Sequence, residues 1–110
     1  MRASVSVCPS AVVEAPAERV WRLLTDPQGF DTWTDATLVS AEPEGSARAG
    51  QRLRLTTAFG RRLPVTMDVL EVDADRWRLH LLVHLPLGLV NDETITMTEV
   101  GEGRTLVRFG

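Results

Sequence analysis

The segment from Val13 to Trp33, V-E-A-P-A-E-R-V-W-R-L-L-T-D-P-Q-G-F-D-T-W, constrains the fold more than any other part of the chain. Proline is favoured at the first helical position, where its missing N–H costs no hydrogen bond, so Pro16 predicts the start of a helix. The residues that follow place an apolar stripe on one helical face over two turns: Val20, Leu23 and Leu24, with Trp21 beside them. This segment therefore predicts a strand end followed by an amphipathic helix.

A second short helix follows the first without a linker. Asp26 precedes a proline, and a residue in that position is pushed out of the α region, so the first helix ends there. The same pair favours a new start, with Asp26 as N-cap and Pro27 at the first helical position. Phe30 and Trp33 are three residues apart and are expected on one face of this second helix.

The rest of the chain alternates between apolar and polar residues, as half-buried strands do. A first strand is predicted over residues 4–13, bent at Pro9, and six more strands follow the helices, joined by hairpins. The first of the six is a short strand over Leu38–Glu42. The apolar faces of the others carry Leu53, Leu55, Thr57 and Phe59, then Val65, Met67 and Val69, then Trp77, Leu79, Leu81 and Val83, then Ile95 and Met97, and last Thr105, Val107 and Phe109. The phase shifts near Leu70 and Val72, which predicts a bulge or a local twist. A strongly bent antiparallel sheet is expected.

Composition excludes several classes of function. The chain has 110 residues, enough for one domain, and a net charge of −3, which argues against a nucleic-acid partner. Cys8 is the only cysteine, so no internal disulfide and no thiolate metal cluster are expected. No apolar run approaches the roughly 20 residues of a membrane span, and no signal peptide is recognisable. A cytoplasmic location is the expectation.

The quoted motifs resemble one superfamily. The pattern A-P-A-x-x-V-W-x-L-L-T-D-P-x-x-F-x-x-W, together with Gly50 before a strand and G-x-G-R-T-L-V-R-F at the end, is similar to the START-like (SRPBCC) superfamily and its polyketide cyclase/dehydrase-type group. The resemblance covers nearly all of residues 1–110 and implies a single α+β domain of helix-grip fold. In that fold a curved antiparallel sheet, in the order β-α-α-β-β-β-β-β-β, wraps a long C-terminal helix over a deep apolar cavity.

The chain stops at Gly110, where the resemblance implies that the long C-terminal helix begins. We expect a C-terminally truncated domain that lacks this helix. Its apolar sheet face would then be partly exposed, and exposed apolar patches drive association. A homo-oligomer formed through the open cavity face is the resulting expectation.

Related proteins bind lipids, sterols, hormones or polyketides, so the resemblance implies a hydrophobic small-molecule ligand and no cofactor. Ligand contacts are expected from the larger residues of the apolar faces, with Asp35 or Thr57 orienting a polar group. The candidate ligand-binding residues are Trp33, Asp35, Leu55, Thr57, Phe59, Met67, Trp77, Leu79 and Leu81. Two alternatives stay open: a polyketide aromatase/cyclase or dehydratase, and a protein-interaction domain of the co-chaperone type.

No catalytic residue is assigned from the sequence. Acid/base chemistry needs a proton-transferring group inside the cavity, and the apolar faces offer neither histidine nor tyrosine. His80 and His84 are four apart, which on a strand separates them by about 13 Å, too far to share a metal ion. They and the arginines of the neighbouring hairpins are expected on the outer, solvated face of the sheet. Asp31 and Asp35 flank Trp33 and are expected in water or at the cavity mouth.

Overall fold

The computed structural model describes residues 10–58 and 62–110 of the chain. Its elements, in chain order, are β1 (Ser10–Val13), α1 (Ala17–Leu24), a 3-10 helix (Pro27–Thr32), β2 (Ala36–Glu42), β3 (Arg52–Ala58), β4 (Arg62–Asp73), β5 (Arg78–His84), a 3-10 turn (Pro86–Gly88), β6 (Val90–Gly101) and β7 (Arg104–Phe109). The predicted order of one strand, two helices and six strands is confirmed, with the 3-10 turn in the connection between β5 and β6. The predictions for residues 4–9, Cys8, Phe59 and the turn at Gly60 lie outside the described residues.

The seven strands form one antiparallel sheet in the order β1-β7-β6-β5-β4-β3-β2. From β2 to β7 every strand pairs with its neighbours in sequence, as hairpins require. Only β1 pairs across a long sequence distance, and it does so with β7, where Val13 lies opposite Thr105. The helices therefore lie in the long connection between β1 and β2.

Bulges interrupt three of the strand pairings. The register shifts between Val69 and Glu71, which confirms the bulge predicted from the change of phase there. Two further shifts lie at Leu38/Ser40 and Glu99/Gly101 and were not predicted. A bulge bends its strand and increases the local twist, so these positions help to curve the sheet around the helices.

Both predicted helices are present, with a small difference at the first. Pro16 has φ −64° and ψ 152° and is the N-cap of α1, so the helix begins at Ala17, one residue later than predicted. Asp26 is the N-cap of the second helix and Pro27 is its first residue, as predicted. This second helix is a tight 3-10 helix. Among the described residues no helix is long and apolar enough to cross a membrane.

The core lies between the concave face of the sheet and one side of the helices. Helical residues Ala17, Val20, Leu24 and Phe30 are buried there. They form one cluster with buried sheet residues, which include Leu53, Leu55, Val65, Val69, Leu79, Leu81, Val83, Ile95, Met97 and Val107. The apolar residues that alternate along each strand thus form the inner face of the sheet, which packs against the helices.

Candidate ligand-binding site

One end of the sheet gathers the segments that border the cavities. Antiparallel pairing places the start of β2 beside the end of β3, where Ala36 lies opposite Thr57. By the same rule the end of β5 meets the start of β6, and His84 lies opposite Val90. The end of β7 and the residues just before β2 therefore lie at this same end of the sheet.

A first cavity of about 210 Å³ lies between the helices and the sheet at this end. Its lining is formed by Leu24, Phe30, Trp33, Thr34, Ala36, Met67, Leu79, Leu81, Glu93, Ile95 and Phe109. Apart from Thr34 and Glu93, these side chains are apolar. The cavity therefore favours the burial of an apolar molecule, since removing apolar surface from water contributes about 25 cal/mol per Å².

A second cavity, of about 260 Å³, shares part of its wall with the first. Its lining is wholly apolar and consists of Ala11, Val13, Val20, Leu23, Leu24, Trp33, Val107 and Phe109. The residues common to both cavities are Leu24, Trp33 and Phe109. Trp33 and Phe109 are thus placed to contact a molecule on either side.

Trp33 is held in place by the 3-10 helix that precedes it. Its backbone N–H donates to the Phe30 carbonyl (3.3 Å), and its ring meets the Phe30 ring edge to face, with centroids 5.7 Å apart. The Thr34 hydroxyl donates to the same Phe30 carbonyl (2.7 Å) and accepts from the Ala36 N–H (3.0 Å). Trp33 remains 40% exposed, so this aromatic surface is positioned and still accessible.

Glu93 is the one ionisable residue in the lining described for the two cavities. It lies opposite Leu81 in the β5–β6 pairing, so its side chain is on the same face of the sheet as that of Leu81. The side chain is half-buried, and burial raises the pKa of the Glu93 carboxyl. Among the described residues, no hydrogen bond or ion pair to its carboxyl is found.

Glu93 is not among the ligand-binding residues predicted from the sequence. A signal was available, because Glu93 is two residues before Ile95 and four before Met97, and alternation puts all three on one face. The neighbouring Asp92 is on the opposite face, where it contacts His80. If the alternation is extended back through N-D-E-T-I-T-M, it predicts Glu93 on the inner face of the sheet and Asp92 on the outer face.

The structure brings together four of the nine candidate ligand-binding residues. Trp33, Met67, Leu79 and Leu81 all line the first cavity. The other candidates lie elsewhere: Leu55 is buried in the core, Thr57 pairs with Ala36 at the sheet edge, Asp35 is exposed, and none of these three lines either cavity. Phe59 lies outside the described residues.

Trp77 also lines neither cavity. It immediately precedes β5 at the opposite end of the sheet and has φ 51°, a backbone conformation unusual for a non-glycine residue. The predicted strand alternation therefore begins one residue later, at Arg78. The Trp77 ring packs edge to face on Trp21 of α1, with centroids 5.5 Å apart.

The outer face of the sheet carries paired charges, as expected. Arg52 Nε lies 2.8 Å from Asp68 Oδ1, and His84 Nε2 lies 2.8 Å from Asp68 Oδ2. These contacts, with the hydrogen bond from Arg52 the largest, lower the pKa of Asp68. His80 contacts Asp92. Within residues 10–58 and 62–110 no group of three or more potential ligands could hold a metal ion.

A curved antiparallel sheet that grips short helices over apolar cavities defines the helix-grip class of folds. The family described as "Polyketide cyclase / dehydrase and lipid transport" matches residues 4–110, and the chain belongs to this family. The resemblance seen in the sequence motifs is therefore confirmed. A comparison with curated proteins gave no match.

Two solved structures show the same fold. Protein Ms6760 from Mycobacterium smegmatis is 21% identical, with a TM-score of 0.72, and the match covers 91% of this chain and 67% of that one. DynU16, a putative protein in the dynemicin biosynthetic locus, is 22% identical, with a TM-score of 0.69, over 94% of this chain and 35% of that one. This chain thus spans about a third of the DynU16 chain. At such identities the likeness concerns the fold alone.

Proposed function

We propose that the chain binds a hydrophobic small molecule, such as a polyketide, a lipid or an aromatic metabolite, between the sheet and the helices. The observation that carries this proposal is the first cavity, whose lining is apolar except for Thr34 and Glu93. The family description, which names polyketides and lipids, supports the same class of ligand. DynU16 belongs to a biosynthetic locus, which adds support for a small-molecule ligand.

Four residues are proposed to contact the ligand: Trp33, Met67, Leu79 and Leu81. Trp33 supplies an accessible aromatic face, and Met67 is a flexible side chain that adapts to ligands of different shape. Leu79 and Leu81 are the residues of β5 that line the first cavity. The two cavities are not lined by Leu55, Thr57, Asp35 or Trp77. Substitutions at these four positions should therefore leave ligand affinity unchanged even where they lower stability.

The test is to fill the cavity. Met67→Trp places a larger side chain in the first cavity, whereas Leu70→Trp adds the same ring at a 45% exposed position on the same strand. Isothermal titration with 2-naphthol, a fused-ring aromatic probe, is expected to show binding to the wild type and to Leu70→Trp but not to Met67→Trp. Equal binding by all three proteins would place the probe elsewhere and contradict the proposal.

An enzymatic function is the second candidate, and Glu93 is the observation that favours it. Cyclisation and dehydration of a polyketide need a group that transfers protons, and burial raises the pKa of the Glu93 carboxyl, which makes it a better proton carrier than an exposed glutamate. Incubation with a linear poly-ketone substrate, followed by mass spectrometry, separates the candidates. Loss of water that depends on Glu93 would establish catalysis, and recovery of unchanged substrate would leave binding alone.

Self-association through the apolar face stays a prediction. Leu23 and Trp33, which line the second cavity, are 42% and 40% exposed. Sedimentation at increasing concentration is expected to show a dimer or larger species, and Leu23→Glu is expected to weaken it. A monomer throughout the concentration range would contradict the prediction.

A further inference from the structure

Glu93 occupies a position at which the sheet otherwise presents apolar side chains. Its partner across the strand pair is the buried Leu81, and the next pair on the same face of these two strands is Leu79 with Ile95. All four residues line the first cavity. The Glu93 carboxyl group therefore lies among apolar side chains in the lining of the first cavity.

No described residue satisfies this carboxyl. The carboxylates of the outer face have cationic or histidine partners, such as Asp68 with Arg52 and Asp92 with His80. Glu93 has none, and desolvation is the one cause of its raised pKa. A partly buried carboxyl without a partner costs free energy, which a hydrogen-bond donor in the cavity would recover.

The other polar group of the lining is already engaged. The Thr34 hydroxyl donates to the Phe30 carbonyl and accepts from the Ala36 N–H. Its single proton is used, so Thr34 cannot donate to a ligand, and its neutral oxygen is a weaker acceptor than a carboxylate. Glu93 is thus the strongest hydrogen-bond acceptor of the lining, and the described residues offer it no donor.

We propose that Glu93 determines the specificity of the cavity, which selects apolar molecules carrying a hydrogen-bond donor, such as a hydroxyl, and disfavours those carrying a carboxylate. The inference rests on the proposed binding function. A ligand hydroxyl donates to a Glu93 oxygen, whether the carboxyl is ionised or not. A ligand carboxylate meets a like charge in a site without a described cation, and that repulsion is weakly screened away from water.

The experiment compares three probes that share one ring system: naphthalene, 2-naphthol and 2-naphthoate. Their affinities are measured at neutral pH for the wild type, for Glu93→Gln and for Glu99→Gln. Glu99 is the matched control, because it is an exposed glutamate on the same strand and lines neither cavity. We expect the wild type and Glu99→Gln to prefer 2-naphthol over 2-naphthoate by about tenfold or more.

Glu93→Gln is expected to reduce this preference several-fold, mainly by binding 2-naphthoate more tightly, while its affinity for naphthalene is unchanged. An unaltered preference in Glu93→Gln, with naphthalene still bound, overturns the inference and leaves the binding function intact. Failure of the wild type to bind any of the three probes overturns both.

A measurement on the wild type avoids reliance on the variant. The side-chain carboxyl carbon of Glu93, observed by NMR in isotopically labelled protein, is expected to shift on addition of 2-naphthol and to shift much less with naphthalene. Equal shifts with the two probes would show that the hydroxyl does not contact Glu93, and would overturn the inference.

Discussion

Trp77 and Trp21 meet edge to face with their ring centroids 5.5 Å apart, and this contact fastens α1 to the turn between β4 and β5. Trp77 reaches Trp21 from a backbone with φ 51°. The pair lies at the end of the sheet opposite to the one where Trp33 borders both cavities. Trp21 and Trp77 thus connect α1 to the sheet at one end, and Trp33 is accessible to a ligand at the other end.

Trp77→Leu is expected to lower stability without affecting binding. Edge-to-face aromatic pairs contribute about 0.5–1.5 kcal/mol beyond their buried area, so the free energy of unfolding should fall by about 1–3 kcal/mol. Urea denaturation measures this change, and titration with 2-naphthol at a temperature where the variant is folded measures affinity. A weaker affinity at unchanged stability would instead make Trp77 a ligand contact.

Trp33→Leu is expected to show the reverse pattern. The ring is 40% exposed and lines both cavities, so its loss should reduce affinity for 2-naphthol by about tenfold, or about 1.4 kcal/mol, with a smaller effect on unfolding than Trp77→Leu. The two variants control for each other, because each removes one indole ring. If affinity survives the loss of Trp33, the ligand does not occupy the cavities it borders.

Glu93→Gln is expected to alter how stability depends on pH. The pKa of Glu93 is raised in the folded state, so the folded chain holds this proton more tightly than the unfolded chain. The stability contributed by Glu93 is therefore complete below the ordinary carboxyl pKa of about 4.3 and is lost as the pH rises through the folded-state pKa. Relative to the wild type, Glu93→Gln should therefore gain stability as the pH rises from about 4.3 through the folded-state pKa of Glu93.

Urea denaturation at several pH values tests this expectation, with Glu99→Gln as the control. A constant difference between Glu93→Gln and the wild type over the whole range would show that Glu93 has the same pKa in both states.

Asp68→Asn is expected to give the opposite dependence. The pKa of Asp68 is lowered, first by the hydrogen bond from Arg52, so its contribution is present above the unfolded pKa of about 3.9 and is lost as the pH falls through the folded-state value. The side chain is 23% exposed and its Arg52 partner 57%, so the loss at neutral pH should be about 1 kcal/mol or less. Asp75→Asn, an exposed turn residue, is a suitable control. A destabilisation that persists unchanged in acid would point to packing and not to charge.

The positions of the strands along the chain could be predicted from the sequence because each strand has one apolar face. Alternation through Leu53 and Leu55, or Ile95 and Met97, indicates both the strand and the side that is buried. The bulge near Leu70 was recognisable for the same reason, since one extra residue reverses the alternation. Asp26 and Pro27 likewise marked a helix start by local chemistry alone.

Ligand contacts were less predictable, because the sequence pattern indicates which side chains face the core but not which of them line a cavity. Leu55 and Leu79 are both buried inward-facing leucines, yet only Leu79 lines one of the two cavities, because the position of the helices decides which residues are covered. Trp77 has a left-handed backbone conformation just before β5, and this conformation cannot be predicted from the hydropathy pattern. Glu93 followed the alternation, but a carboxylate is ordinarily exposed, and its apolar surroundings come from tertiary packing.

The pairing of β1 with β7 has a consequence for how the chain folds. The Thr105 hydroxyl, fully buried, donates to the Ala15 carbonyl at 2.8 Å across 90 residues of sequence, while β2 to β7 need only local hairpins. Long-range closure costs more chain entropy than hairpin formation and slows folding. We therefore expect the hairpins to assemble first and β1 to bring α1 onto the sheet at a late step, so the second cavity, which Ala11 and Val13 help to line, is complete only once β1 pairs with β7.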